Sequence, residues 1–147
     1  MGLGPSRDGH AVSRLSQDLV VPELRAHVDH RLRRVRGLVA SDTMFGTGDA
    51  YWCNGKEIAH FESDAVIEVR LTKPEIRDRR ERLKADARVE LRPSGADWIT
   101  VTLASPRDVA FVVDLVRVAV KAHRPPPGVP AKPPPTGQEL DRRRRFH

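Results

Sequence analysis

His60 is the residue of this 147-residue chain whose expected neighbours are best suited to chemistry. Asn54-Gly55 separates two short strand-like segments and is typical of a two-residue hairpin turn, because both residues accept positive φ angles. Such a turn sets the hairpin register and places Asp49 opposite His60. A three-residue turn into the following strand places Glu68 on the other side of His60. A two-residue turn places an apolar residue there instead, and the sequence leaves both turns open.

Carboxylates on both sides of an imidazole fix its tautomer and favour its charged form, as a general base or a ligand requires. If Trp52, Ala59 and Phe61 face the core, Tyr51 shares the polar face with His60. The alternative is a solvated sheet face on which polar groups pair, and which face of the hairpin is buried stays open. The candidate catalytic residues are therefore His60, Asp49, Glu68 and Tyr51.

Metal and thiol chemistry are less well supported. The set Asp49, His60, Glu62 and Glu68 contains one imidazole and no second ligand at a metal-binding spacing, so no metal is predicted. The single cysteine, Cys53, excludes a disulfide framework and a thiolate zinc site. It lies about 13 Å along the strands from His60, too far for a nucleophile and its base. No phosphate-binding loop or nucleophile elbow is present, and any cofactor is unknown.

The net charge of +6 is unevenly distributed. Residues 16–123 carry 18 basic and 17 acidic side chains, whereas residues 124–147 carry 6 and 2. A domain that binds a nucleic-acid groove carries the charge on its own surface, so no specific nucleic acid is expected. Weak polyanion binding is expected at most from Arg142, Arg143, Arg144 and Arg145, a run that is also typical of a solvated end.

Helix and strand periods alternate between residues 16 and 123 and predict a single domain. The predicted class is α+β, with a mainly antiparallel sheet of about five strands and the helices packed on one face. The order is α-β-β-β-α-β-β-α. The helices are expected near residues 22–36, 73–85 and 106–122, and the strands near 50–53, 56–61, 65–71, 89–91 and 98–103.

The two ends lack such periods. Residues 1–15 are expected to be disordered, and so is the Pro- and Arg-rich tail over residues 124–147. The tail contains an Arg-x-x-Pro-x-x-Pro pattern at 124–130, so SH3-like partners are an alternative to a plain terminus. No apolar run reaches the length of a membrane span and no signal peptide is evident, so a cytoplasmic protein is expected. An exposed sheet face would also permit a homodimer.

Four short segments resemble one known family in their order and spacing. They are Gly-Lys-Glu-Ile-Ala-His at 55–60, Val-Arg-Leu-Thr at 69–72, Ser-Gly-Ala-Asp-Trp-Ile at 94–99 and Ser-Pro-Arg-Asp-Val at 105–109. From about residue 45 to 123 the chain resembles the small "luciferase domain" family of bacteria and fungi. That family commonly has a second histidine where this chain has Glu62, which weakens a two-histidine metal site.

The resemblance implies a shared α+β domain in which His60 is the position most worth testing. It does not imply light emission, because the flavin luciferases are (β/α)₈ barrels. The leading hypothesis is a domain of unassigned function that binds a small ligand or a protein and is not catalytic. The alternatives are an enzyme or metal-assisted site centred on His60 with its carboxylates, and an interaction module that acts through the tail.

Overall fold

A computed structural model describes residues 21–45, 48–93 and 96–146. The disorder expected for residues 1–15 therefore lies outside the described residues. The described residues form four helices and six strands. In chain order these are α1 (21–32), β1 (Val39–Asp42), β2 (Asp49–Cys53), β3 (Lys56–Ser63), β4 (Val66–Arg70), α2 (Lys73–Ala85), β5 (Val89–Leu91), β6 (Trp98–Thr102), α3 (Pro106–His123) and α4 (Gly137–Arg145).

The strands form one antiparallel sheet in the order β1-β2-β3-β4-β6-β5. This arrangement confirms the α+β prediction with its antiparallel sheet. Asn54 and Gly55 have φ angles of 51° and 77°, as the predicted hairpin turn requires. The strand that the sequence did not reveal is β1, which has four residues and pairs with β2 at the edge of the sheet.

The main core lies between one face of the sheet and the first three helices. From α1 it receives Leu24, Val28 and Leu32, and α2 adds only Ile76 and Leu83, in keeping with its charged sequence. The helix that is apolar around most of its circumference, α3, is buried along much of its length, as that pattern predicts. Its buried apolar residues are Val109, Val112, Val113, Leu115, Val116, Ala119 and Val120.

The opposite face of the sheet is covered in part by the C-terminal segment. Leu140 of α4 is 2% exposed and packs against Ala50 and Trp52 of β2. The structure thus does not confirm the disordered tail expected for residues 124–147, because Gly137–Arg145 is a helix with a buried leucine. The three predicted helices contribute to the core on one face of the sheet, whereas α4, which was not predicted, packs on the other.

A β-bulge in β3 resets the register of the first hairpin. Trp52 pairs with Glu57 but Tyr51 pairs with Ala59, so Ile58 is an extra residue in the strand. Because one extra residue reverses the faces that follow it, Ala50 lies opposite His60. The predicted pairing of Asp49 with His60 is therefore wrong.

The same shift decides which face of the hairpin meets the helices. Tyr51, Cys53, Ile58 and Ala59 belong to the main core, whereas Trp52 packs under α4. Of the arrangements that the sequence leaves open, the one with Trp52 in the main core and Tyr51 on the polar face is not the one observed. A second bulge, between Phe61 and Ser63, leaves Glu62 out of the pairing with β4.

Candidate functional site

His60 lies in the middle of β3, between the two bulges. It pairs with Glu68 of β4, the pairing expected from a three-residue turn. The turn itself has two residues, 64 and 65, and the bulge at Glu62 produces this pairing. Residues three apart on a regular strand point to opposite faces, but the extra residue at Ile58 brings Glu57 to the side of His60. The second bulge contains Glu62, two positions after His60. Three carboxylates therefore converge on one imidazole.

The distances define a compact polar cluster. Nδ1 of His60 lies 3.1 Å from Oε2 of Glu57, and Nε2 lies 2.8 Å from Oε1 of Glu62. Nε2 is also 3.8 Å from Oε2 of Glu68. One ligand atom from each of His60, Glu62 and Glu68 lies within 4.8 Å of the others. The separations are short enough for one ion to touch all three side chains.

Glu57 is a carboxylate inside the protein. It is 1% exposed, and its Oε1 accepts a hydrogen bond of 2.8 Å from the backbone amide of Met44. Among the described residues, its Oε2 and the facing Nδ1 of His60 have no hydrogen bond of good geometry despite their 3.1 Å separation. An ionised carboxylate is costly to bury without a partner. Oε2 of Glu57 and Nδ1 of His60 are thus two buried polar atoms that face each other.

Aromatic rings and one guanidinium border the cluster. The rings of Phe45 and Trp98 lie 5.4 Å and 5.0 Å from the imidazole of His60, centroid to centroid. Arg92 donates a hydrogen bond to Oε2 of Glu68, the oxygen that also faces His60. These side chains and Glu62 line a cleft of about 340 Å³. The cleft joins the polar cluster to solvent and has room for a small molecule.

Two predicted site residues lie elsewhere. The hydroxyl of Tyr51 donates a 2.6 Å hydrogen bond to Asp29 of α1, on the helix-covered face of the sheet. Burial, followed by this hydrogen bond to Asp29, raises the pKa of Tyr51 well above its ordinary value. Asp49 is exposed and forms an ion pair of 3.0 Å with Arg33. The structure therefore brings together His60 and Glu68 but not Asp49 or Tyr51.

Glu57 and Glu62 are the site residues that sequence reasoning left out of the catalytic set. Glu62 shares the face of His60 by strand periodicity and was considered only as a metal ligand. Glu57 was left out because the bulge at Ile58, which brings it beside His60, has no signal in the residues around it.

The predicted anion-binding arginines are largely engaged with the protein itself. Arg142 and Arg143 pair with Glu139 one turn earlier in α4. Arg144 donates a 2.6 Å hydrogen bond to the carbonyl oxygen of Thr43. Polyanion binding by this run stays a prediction. In the parts of the chain that the structure describes, no helix is long and apolar enough to cross a membrane.

With the fold and the cleft defined, the protein is an antiparallel α+β domain with a histidine–carboxylate cluster on one sheet face. Residues 55–119 match the family model of the Luciferase domain. This match confirms the resemblance that the sequence predicts, and it includes the histidine, the three carboxylates, Arg92 and Trp98. No curated protein and no solved structure shows a significant similarity to the chain.

Proposed function

We propose that this domain binds a divalent transition-metal cation through His60, Glu62 and Glu68 and presents it to a small ligand in the adjoining cleft. The observation that carries the proposal is the mutual distance of the three ligand atoms, all within 4.8 Å of one another. Imidazole nitrogen and carboxylate oxygen are both good ligands for such cations. Three protein ligands leave coordination positions open to a small molecule or to water.

The position of Glu57 supports a ligand role for His60. Metal-binding histidines commonly donate their second ring N–H to a carboxylate, which fixes the tautomer and orients the ring. Glu57 lies 3.1 Å from Nδ1, on the side of the imidazole away from Glu62 and Glu68. A proton on Nδ1 leaves the lone pair of Nε2 directed at the two remaining carboxylates. The buried carboxylate of Glu57 would thus orient the imidazole of His60 in the proposed site.

The charge of the cluster also favours a cation. Glu57, Glu62 and Glu68 bring three carboxylates to one imidazole, and Arg92 is the guanidinium that pairs directly with them among the described residues. Like charges at such separations repel strongly where solvent is partly excluded. A divalent cation between Glu62 and Glu68 would offset this repulsion. A site with one nitrogen and two oxygens suits manganese, iron, cobalt or zinc better than calcium, which prefers oxygen alone.

The walls of the cleft indicate the kind of small ligand. Phe45 and Trp98 offer apolar ring surface beside the open side of the cluster, and Arg92 offers a guanidinium at its rim. A molecule with an oxygen donor for the metal and an apolar part for the rings matches these groups. The domain is therefore proposed as a binder of small oxygen-containing ligands at a metal centre.

Calorimetric titration of the metal-free protein with Mn²⁺, Co²⁺ and Zn²⁺ tests the proposal. We expect one site per chain, and Co²⁺ should give a visible absorption band that reports its coordination. His60→Gln should lower the affinity by at least about tenfold, because it removes a ligand. The matched control is His27→Gln, which changes an exposed histidine of α1. Absence of saturable binding by the unmodified protein, or equal affinity for both variants, would overturn the proposal.

A further inference from the structure

We propose that the C-terminal strap, defined as residues 132–146, positions the wall of the metal cleft through Arg144. The effect on the cleft rests on the proposed metal site, whereas the contacts of the strap are independent of it. The strap lies outside the segment that matches the Luciferase domain, which ends at residue 119. It therefore adds a component to the domain that the family match does not contain.

Two residues of the strap hold it at the hairpin turn Asn54-Gly55. The amide of Lys132 donates a 2.9 Å hydrogen bond to Oδ1 of Asn54, and the side chain of Arg143 donates one of 3.2 Å to the carbonyl of Gly55. Between these anchors and the cleft, Leu140 is buried on Trp52. The hairpin turn and β2 thus form the surface on which the strap packs.

Arg144 extends the strap to the loop that borders the cleft. Its guanidinium donates a 2.6 Å hydrogen bond to the carbonyl of Thr43. The next two residues of that loop reach the site directly. The amide of Met44 donates to the buried carboxylate of Glu57, and the ring of Phe45 lies 5.4 Å from that of His60. The amide of Phe45 also donates a 3.0 Å hydrogen bond to the hydroxyl of Thr43.

These contacts form a continuous path from the strap to the metal ligand. Arg144 fixes Thr43, the loop then places the Met44 amide on Glu57, and Glu57 faces Nδ1 of His60. Loss of the first contact should loosen the loop and with it the carboxylate that orients the imidazole. Arg144 is thus a positioning residue, since it touches neither the proposed metal nor its ligands.

The alternative is that the strap only shields the apolar surface of Trp52. Arg144→Gln and Arg145→Gln in the 147-residue chain distinguish the two. Each removes one positive charge from the end of α4, but only the first removes the hydrogen bond to Thr43. Arg145 makes no hydrogen bond or ion pair with the rest of the described chain. Arg144→Lys is the conservative variant, which retains a donor for the carbonyl of Thr43.

Two measurements on these variants test the inference. In the metal-free protein, hydrogen exchange of the Met44 amide should be about tenfold faster in Arg144→Gln than in Arg145→Gln, the change expected from a lost charged hydrogen bond. The Co²⁺ dissociation constant should rise about tenfold in Arg144→Gln and return towards the unmodified value in Arg144→Lys. The melting temperature should be similar for both glutamine variants.

The outcomes separate this inference from the proposed function. If the unmodified protein binds no cation, the proposed function fails, and the exchange of Met44 still decides whether the strap holds the loop. If cation binding is found but both glutamine variants bind equally, the positioning role is overturned. Faster exchange of Met44 without any change in the dissociation constant would overturn it as well.

Discussion

Glu57 and His60 lie on the same strand three residues apart, yet the Glu57 carboxylate is 3.1 Å from Nδ1 of His60. On a regular strand the two side chains would project from opposite faces of the sheet. The extra residue at Ile58 removes that separation. The bulge thus places a buried carboxylate beside the imidazole of His60.

Replacement of Glu57 should weaken metal binding without removing a ligand. Glu57→Gln leaves His60 in place but takes away the carboxylate that faces Nδ1, so we expect a loss of about 10- to 100-fold in Co²⁺ affinity. Titration calorimetry measures the change. Glu90→Gln on the exposed face of β5 is the control and should bind as the unmodified protein does. Equal affinities for the two variants would contradict the orienting role.

Leu140 should contribute to stability if the C-terminal helix is packed on the sheet. Leu140→Ala removes a side chain that is 2% exposed against Trp52, so the free energy of unfolding should fall by about 2–3 kcal/mol. Urea denaturation followed by tryptophan fluorescence measures it. Val129→Ala, at a position that is 52% exposed, should change little. A neutral result for Leu140→Ala would support the disordered tail that the composition suggests.

His123 should make the fold less stable as the pH falls below neutrality. Its burial near Arg70 and Lys56 lowers its pKa, even though the carbonyl oxygen of Ala119 and the carboxylate of Asp97 act in the opposite direction. The unfolded chain then binds a proton near pH 6.5 that the folded chain does not, so stability declines as the pH falls from about 7 towards the lowered pKa.

The measurement is urea unfolding at pH 7.5 and pH 5.5. The loss of stability between these values should be smaller in His123→Gln than in the unmodified protein. His27→Gln, which alters an exposed histidine, should keep the full loss. An unchanged pH dependence in His123→Gln would show that other groups control it.

Asp108 should stabilise the start of α3. Its Oδ2 accepts hydrogen bonds from the amides of Ala104 and Ser105, and its Oδ1 pairs with Arg88 at 3.1 Å. Burial acts to raise the pKa of Asp108, but these partners together lower it. Its contribution is present above the ordinary carboxyl pKa and is lost as the pH falls through the lowered one.

Asp108→Asn should therefore lower the free energy of unfolding by about 1–2 kcal/mol at pH 7. The difference from the unmodified protein should shrink at strongly acidic pH, where the native carboxylate is protonated. Asp114→Asn on the exposed side of α3 is the control, since its carboxylate only pairs with Arg117 at the surface. A cost as small as that of the control would contradict the capping role.

Local signals were sufficient to predict most of the fold. Asn54-Gly55 determined the first hairpin, and the apolar circumference of α3 determined the helix that fills the core. The strand β1 was not predicted, because its four residues begin with an exposed valine and show no clear alternation of apolar and polar side chains. The C-terminal helix was not predicted, because a single leucine among charged residues gives no helical apolar period. The burial of that leucine depends on the sheet face that it contacts.

Local signals also explain which candidate site residues were expected to lie together. The pairing of His60 with Glu68 was one of two arrangements that the sequence left open, and the structure has that pairing. Asp49 and Tyr51 were misplaced because one extra residue in β3 reversed the faces of the hairpin, and such a bulge is set by tertiary packing. Glu57 could be found only after that reversal was known.

The measurement that tests the central claim most directly is a crystal structure of the protein soaked with Zn²⁺, with anomalous data recorded at the zinc edge. The account predicts one strong anomalous peak about 2.0–2.2 Å from Nε2 of His60 and from one oxygen each of Glu62 and Glu68. Nδ1 of His60 should remain within hydrogen-bond distance of Glu57. An unoccupied cluster at saturating Zn²⁺, or a cation bound only at other side chains, would contradict it.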